Sequence, residues 1–536
     1  MLASPAALAT TYYLSDCQVG ATAGCIAGSS TNDGLSAVKP KQSWSQLPTI
    51  LGGDNILFAK GGAWVNASMR IFIPTASVST PVTWDSYSPP WGGSVKPILT
   101  EARIDYYLFK FDDGGQKIAD GGYTIRNLDL RGGGVMGVST AAAAAIFTYW
   151  AVNDLLMENL EISGFKNGVF SAHSPKDLVN GWENYRITLR NSYLHDNSAS
   201  SFLGGAADLV IENNTLDRNG ATPVYDHDLY ISSVTRGVIR NNTITRSVLD
   251  SNGKCTGSVI VAHGAVEGMT IENNRIVQPS GGNLPTCFGI EISTGYDDAQ
   301  GAEYFHDVVI RGNSIVNVGF VGIGLRNCAR CVIENNALVW TGTGGNQAIS
   351  MYMNTPSSLD ERGGSLTIRN NSIFMQDTSG SPVAIRLLNE GTQHTVTSNL
   401  IVYGSTGASS ATCFDTSTYA IGNFAVFDNN LCFRQSGALI YSPAYSTLTA
   451  ARLAGYDLRG LNVDPLLVAI PSAANNYNMA PRSTSPAINT GSGTLSAPRD
   501  ITGRLRDAAP DMGAWELNAT TAPVAPPSPP TGVTAG

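Results

Sequence analysis

Tyr225, Asp226, His227, Asp228 and Tyr230 crowd five ionisable side chains into six residues. In an extended strand alternate side chains share a face, and residues i and i+2 stand about 6.5 to 7 Å apart at Cα. A strand already running at Asp226 projects Asp226, Asp228 and Tyr230 from one face, with His227 at its mouth. Two carboxylates that close raise one pKa and divide an acid from a base. The plainer alternative is that Asp226 and His227 close the turn before the strand, a common task for Asp.

Glu291, Arg326, Arg386, His263, Tyr352 and Lys254 are the remaining candidates. Glu291, placed on a parallel strand two rungs beyond Asp228, sets its carboxylate about 9 to 10 Å away, the separation an inverting hydrolase uses. Arg326 and Arg386 suit neutralisation of a uronate carboxylate, and His263, in VAHGAV, is a candidate base. Tyr352 offers a flat face for a sugar ring, and Lys254 sits in a loop within range of Asp228. Each has an ordinary reading as a solvated or turn residue. Asp297, Asp298, Asp360 and Glu361 make Ca²⁺ a candidate cofactor, although none has the close spacing of a dedicated calcium loop. No cofactor follows from any motif.

These residues matter together only if something aligns them. The motif hydrophobic-x-Asn-Asn-x-hydrophobic recurs as IENNTL at Ile211, IRNNTI at Ile239, IENNRI at Ile271, IENNAL at Ile333 and IRNNSI at Ile368, with looser copies at Ile125, Met157, Leu189, Ile310 and Phe427. Aligned on the first Asn, successive copies from Asn127 to Asn429 lie 22 to 39 residues apart, with Gly312 and Ser398 standing in for Asn. Each copy is short, β-branched and alternating, hence a strand. A second apolar strand follows in each interval, as LYIS at Leu229, SVIV at Ser258, GIEIS at Gly289, GIGLR at Gly322, AISMY at Ala348 and AIRLL at Ala384. Strands repeating with one direction stack in parallel about 4.8 Å apart, so about eleven coils make a solenoid roughly 50 Å long. Inward Ile, Leu and Val form apolar columns, and Asn at a fixed corner stacks into a ladder. A β-propeller fits less well, lacking a blade-like aromatic motif. The alternation predicts an outward column of Tyr230, Ile260, Glu291, Gly324, Ser350 and Arg386, flanked by Ser232, Ala262, Ser293, Arg326 and Tyr352.

The repeat resembles that of the pectate-lyase-like superfamily of right-handed parallel β-helices over roughly residues 50 to 440. TYYLSDC, NDGLS and GGDNILFAKGGAW resemble the leading segment of secreted polysaccharide-processing β-helices, and DITGRLRDAAPDMGAWEL resembles their terminal motif. The resemblance implies an all-β, single-stranded right-handed parallel β-helix that acts on a polysaccharide or oligosaccharide. Tyr225, Asp226 and His227 also resemble the Tyr-x-x-Asp-Pro-His segment of alginate epimerases, without its Pro and with shorter spacing.

A net charge of −9 with 14% charged residues argues against a nucleic-acid partner, and no stretch is apolar enough for a membrane span. Residues 1–10 read as a signal-peptide remnant, 11–50 as a cap, 51–440 as the β-helix, 441–517 as a tail packing along it, and 518–536 as a Pro/Thr/Ser-rich linker with a further module after it. Eight cysteines agree with a secreted or periplasmic location. Cys17 with Cys25 and Cys255 with Cys287 are expected bridges, and Cys328 and Cys331 form either a local bridge or stacked core thiols.

Two reactions compete. A lyase removes the proton α to a uronate carboxylate and expels the 4-linked sugar, with Arg326 or Arg386 as neutraliser and His227, His263 or Tyr230 as base. A glycoside hydrolase uses Asp226, Asp228 and Glu291 as acid and base. The lyase is slightly favoured, by analogy; epimerisation and a non-catalytic carbohydrate-binding solenoid are the further alternatives.

Overall fold

The structure, a computed structural model, describes residues 9–520 except 117, 135–141, 173–179, 182, 222–224, 280–285, 343–346, 352–356, 378–381, 389–390, 407–409, 417–418 and 474–475. Each full coil carries a strand before the Asn corner (sheet 1), a strand after it (sheet 2) and the second apolar strand (sheet 3). Among the described residues these stack into parallel sheets of 14, 13 and 15 strands, the last counting Tyr304–His306 and Cys328–Ala329 beside its main run. The register keeps like with like: Ile211 pairs with Ile239, Ile271, Ile310, Ile333 and Ile368 in turn, all at 1% exposure or less. One continuous apolar column results, and it holds most of the core.

The expected eleven coils undercount the stack. Eleven strands of sheet 1, from Asp120–Arg126 onward, run into the Asn corner, but Thr11–Leu14, Asn55–Ala59 and Val82–Tyr87 pair ahead of them without it. Parallel pairing therefore begins at Thr11.

The two corner asparagines divide the work. The first adopts left-handed backbone, with φ near +56° at Asn213, Asn241 and Asn273, and Gly312 and Ser398 occupy the same region. Asn tolerates this conformation better than most residues. The second Asn builds the ladder: the side-chain amide of Asn214 donates to Asn242 Oδ1, Asn242 to Asn274, and so on through Asn313, Asn336, Asn371 and Asn399 to Asn430, at 3.0 to 3.1 Å. Each Oδ1 also accepts the backbone N–H of the preceding Asn, as Asn242 Oδ1 does from Asn214 N at 3.0 Å. A turn that would bury unpaired polar groups thus satisfies them from the next coil. Asp457 ends the ladder, accepting Asn430 N at 3.0 Å and the Tyr441 hydroxyl.

The tail packs on the late coils. Leu467, Met479, Ala487 and Met512 cover the outer face of sheet 2 at Val316, Val339, Phe374 and Val402. Where the tail passes, first-column asparagines donate to it: Asn335 to Arg499 O at 2.7 Å and Asn429 to Thr490 O at 3.0 Å. Arg506 and Glu516 of the terminal motif form an ion pair of 2.8 Å buried against Asn335. The cysteines pair as Cys17–Cys25, Cys255–Cys287, Cys328–Cys331 and Cys413–Cys432, the last unforeseen. Among the described residues no helix is long and apolar enough to cross a membrane.

Candidate active site on the outer face of sheet 3

Five strands of sheet 3, Leu229–Thr235, Ser258–Glu267, Phe288–Ile292, Val321–Leu325 and Gln347–Met351, carry the candidate residues on successive rungs. Tyr230 pairs with Val261, Val261 with Glu291, Glu291 with Gly324 and Gly324 with Ser350, while Ser232 pairs with His263. The expected outward pair Ile260 and Ala262 is corrected by one residue: both join the continuous apolar core, while Val261, itself buried, is in register with Tyr230 and Glu291 on the outer face, followed two residues on by His263. A one-residue slip exchanges the faces of a strand, and SVIVAHGAV is apolar on both sides, so alternation does not fix it.

Three candidates from three coils converge. Arg326 lies 3.2 Å from Glu291, whose other oxygen accepts the Ser258 hydroxyl. The His263 ring lies between Tyr230 and Tyr296, with centroids 5.3 and 5.6 Å away. His263 Nδ1 is 2.5 Å from Ser293 O, so it is the donor and the lone pair of the neutral ring belongs to Nε2. Burial pushes the His263 pKa down, with Glu291 pulling upward and Arg326 adding to the fall. Tyr230 is 3.4 Å from the Tyr296 hydroxyl, and burial followed by repulsion from Tyr296 raises its pKa far above the usual phenol value.

The expected outward pair Asp226 and Asp228 does not form, because the strand starts at Leu229. Asp226 is buried in the turn, where it accepts Ala221 N at 2.8 Å. Asp228 has no exposure and accepts the hydroxyls of Ser201 and Ser247. Burial raises its pKa to about 6, against the pull of those hydroxyls and Asn219. With both sealed, the proposed 9 to 10 Å pairing of Asp228 with Glu291 across the face is lost. His227 donates from Nδ1 to Ser258 O at 3.0 Å, its pKa lowered to about 4 chiefly by burial, and its ring lies 5.4 Å from Tyr230.

Lys254 lies exposed in a turn closed by Asp250 and is not among the groups that hold Asp228. Arg386 is three rungs beyond Glu291, about 14 Å at the strand spacing, and lies 3.2 Å from Asp415. Tyr352 lies outside the described residues. The loop acids do not fit calcium: Asp298 accepts Ser358 N and Oγ, Asp360 accepts Glu303 N and Ser357 N, and Glu361 lies 2.9 Å from His306. Their oxygens face N–H and O–H donors, and among the described residues no three His, Cys, Asp or Glu gather as a metal site.

Two residues escaped sequence reasoning. Glu303, fully buried, accepts Gly264 N at 2.7 Å and both Gly295 N and Tyr296 N at 2.6 Å, and it stands 3.8 Å from His263 Nδ1. It fixes the loop that lays Tyr296 on His263, and the Tyr296 hydroxyl lies 2.8 Å from Ser232 Oγ. Neither residue sits in a repeat, so no periodicity marks them.

No curated protein matches the chain. Similar solved structures include a GH136 lacto-N-biosidase from Eubacterium ramulus, at 12% identity and TM-score 0.37, covering 66% of this chain and 65% of that one. The tailspike protein of E. coli bacteriophage HK620, in complex with a pentasaccharide, matches at 12% identity and TM-score 0.46, covering 77% and 72%. Pectate lyase Pel9A matches at 12% identity and TM-score 0.35, covering 95% and 98%. The chain thus spans about 65% of the length of the lacto-N-biosidase. Residues 117–300 match the family model described as right handed beta helix region, and with three parallel sheets wound coil upon coil the fold is a right-handed parallel β-helix.

Proposed function

We propose that this is a secreted polysaccharide lyase that cleaves next to a uronate by β-elimination on the outer face of sheet 3. The observation that carries the reading is His263, a neutral imidazole held by Ser293 O beside the Glu291–Arg326 pair. Four disulfides support an oxidising compartment.

In this reading Arg326 takes the uronate carboxylate, which lowers the pKa of the proton on the adjacent carbon. Glu291 holds the guanidinium in place. Nε2 of His263 removes that proton, the electron pair forms the C4–C5 double bond, and the bond from C4 to the glycosidic oxygen breaks. Tyr230, kept protonated by burial and by Tyr296, donates the proton that the leaving oxygen needs. His263 then returns its proton to solvent, and the phenolate is reprotonated.

Hydrolysis requires a second carboxylate opposite Glu291. Asp226 and Asp228 are sealed in the corner, Glu303 is enclosed by N–H donors, and Asp415 lies four rungs away, about 19 Å. Among the described residues this distribution speaks against the hydrolase. The test is incubation with acidic and neutral polysaccharides, following the ultraviolet absorbance of unsaturated uronate beside reducing ends. Both should rise together. Reducing ends without that absorbance would establish hydrolysis, and binding without either would establish a non-catalytic solenoid.

A further inference from the structure

The outward column of sheet 3 changes character toward the N-terminus. From Glu291 it continues through Val261, Tyr230, Leu203, Phe170 and Phe147 to Lys110. These six steps span about 29 Å. Among the described residues no charged side chain stands in this column between Glu291 and Lys110.

Aromatic rings fill the far half. Phe147 stacks on Tyr107 with centroids 4.3 Å apart and lies 5.2 Å from Phe170; Tyr149, 5.9 Å from Phe147, stacks on Trp150 at 4.1 Å. Tyr107, Tyr149, Trp150 and Phe170 are half-buried, and Phe147 is buried among them. Trp150 and Ala151 are both left-handed, with φ of +60° and +44°. A bulky residue rarely adopts this conformation, and strain of this kind gathers at ligand sites. The platform lies on the same face as the reactive cluster and in unbroken register with it, so one extended ligand can lie on both.

We propose that Tyr107, Tyr149, Trp150 and Phe170, packed around the buried Phe147, bind the apolar faces of uncharged sugar rings, and that the substrate is a heteropolysaccharide whose uronates are separated by neutral sugars. The inference rests on the elimination reading for its reactive end. Between Glu291 and Phe147 a uronate homopolymer would lay a carboxylate on every residue against rings and aliphatic side chains, while Lys110, 5.8 Å from the Tyr107 ring at the far end, is already paired with Asp112 at 2.8 Å, and burying an unpaired charge is costly. A polymer with one uronate among several neutral sugars gives Arg326 its carboxylate and the platform its apolar faces.

The experiment compares binding of the full chain to gellan, whose backbone spaces its glucuronates with neutral sugars, to xanthan, whose glucuronate sits between neutral sugars in a side chain, and to polygalacturonate. Wild type and Trp150→Ala are titrated, each also carrying His263→Ala so that binding is read without turnover. We expect binding to at least one heteropolymer, weak or no binding to polygalacturonate, and about a tenfold loss on Trp150→Ala. Should Trp150→Ala lose its fold by near-ultraviolet circular dichroism, Tyr107→Ser is read in its place. Polygalacturonate bound as tightly as the heteropolymers, no binding to any of the three, or a variant curve overlying its parent overturns the platform. A bound heteropolymer that the unmutated protein does not cleave supports the platform while refuting the elimination.

Discussion

Replacing Asp457 with Asn tests the reasoning about the corner ladder quantitatively. Asp457 closes the column of asparagines and is fully buried at φ +46°, a conformation Asn also tolerates. Burial lifts its pKa from 3.8 to about 7, against the hydrogen bonds from Tyr441 and Asn430. A raised folded pKa means that the stability it contributes is whole below the unfolded value and is lost as pH climbs through the folded one. The shift is 7 − 3.8, or about 3 units, which corresponds to about 4 kcal/mol between pH of about 4 and pH of about 8. Asn is neutral throughout, keeps Oδ1 for Asn430 N and turns its amide toward Tyr441. The stability of Asp457→Asn relative to wild type should therefore rise by about 4 kcal/mol from the acid to the alkaline condition. Any fixed cost of reorienting Tyr441 cancels in that difference. Urea unfolding at both pH values, with hydrogen exchange over residues 424–434 to localise the effect, measures it. A difference that does not change with pH, or one that favours wild type more strongly at alkaline pH, refutes a buried charge at the end of the ladder.

The remaining predictions concern the site. His263→Ala should lower turnover by about 10²–10⁴ with polysaccharide binding retained; unchanged steady-state rates would remove His263 as the base. Because burial depresses its pKa, His263 stays neutral below the ordinary histidine range, so the acid limb of kcat should fall below a pH of about 6.5. An acid limb above that value contradicts the burial argument. Asp228→Asn should keep most of the turnover, since the carboxylate faces Ser201 and Ser247 and not the outer face of sheet 3; complete loss in a folded variant would return Asp228 to the chemistry. Arg326→Ala, which leaves Glu291 without its guanidinium, should lower turnover by about a hundredfold or more, and added guanidinium should restore part of it.

Periodicity made the architecture legible because a solenoid translates sequence spacing directly into space. The Ile-x-Asn-Asn copies located eleven corners, and residues Glu291 and Arg326, from separate coils, meet as parallel stacking requires. What the repeat could not convey was local. The aligned first Asn turned out to be the left-handed residue, and its neighbour makes the ladder, because a pattern records position and not side-chain direction. At Val261 and His263 the outward face depended on pairing with Tyr230 and Glu291, since Ile260 and Val261 are equally apolar.

The chain's own pattern of β-branched residues and paired asparagines determined that it would wind into stacked parallel coils, since that arrangement pairs each repeated strand with its counterparts and satisfies the Asn corners from the next coil. Tertiary packing decided which ionisable groups reach the outer face of sheet 3. Asp226 and Asp228 face outward or inward according to where one strand begins, and Glu303 and Tyr296 reach His263 only because a long loop folds back on its own coil. Accessibility and charge partnership are properties of neighbours brought together in space, and nothing in the linear order of Tyr225 to Tyr230 specifies them.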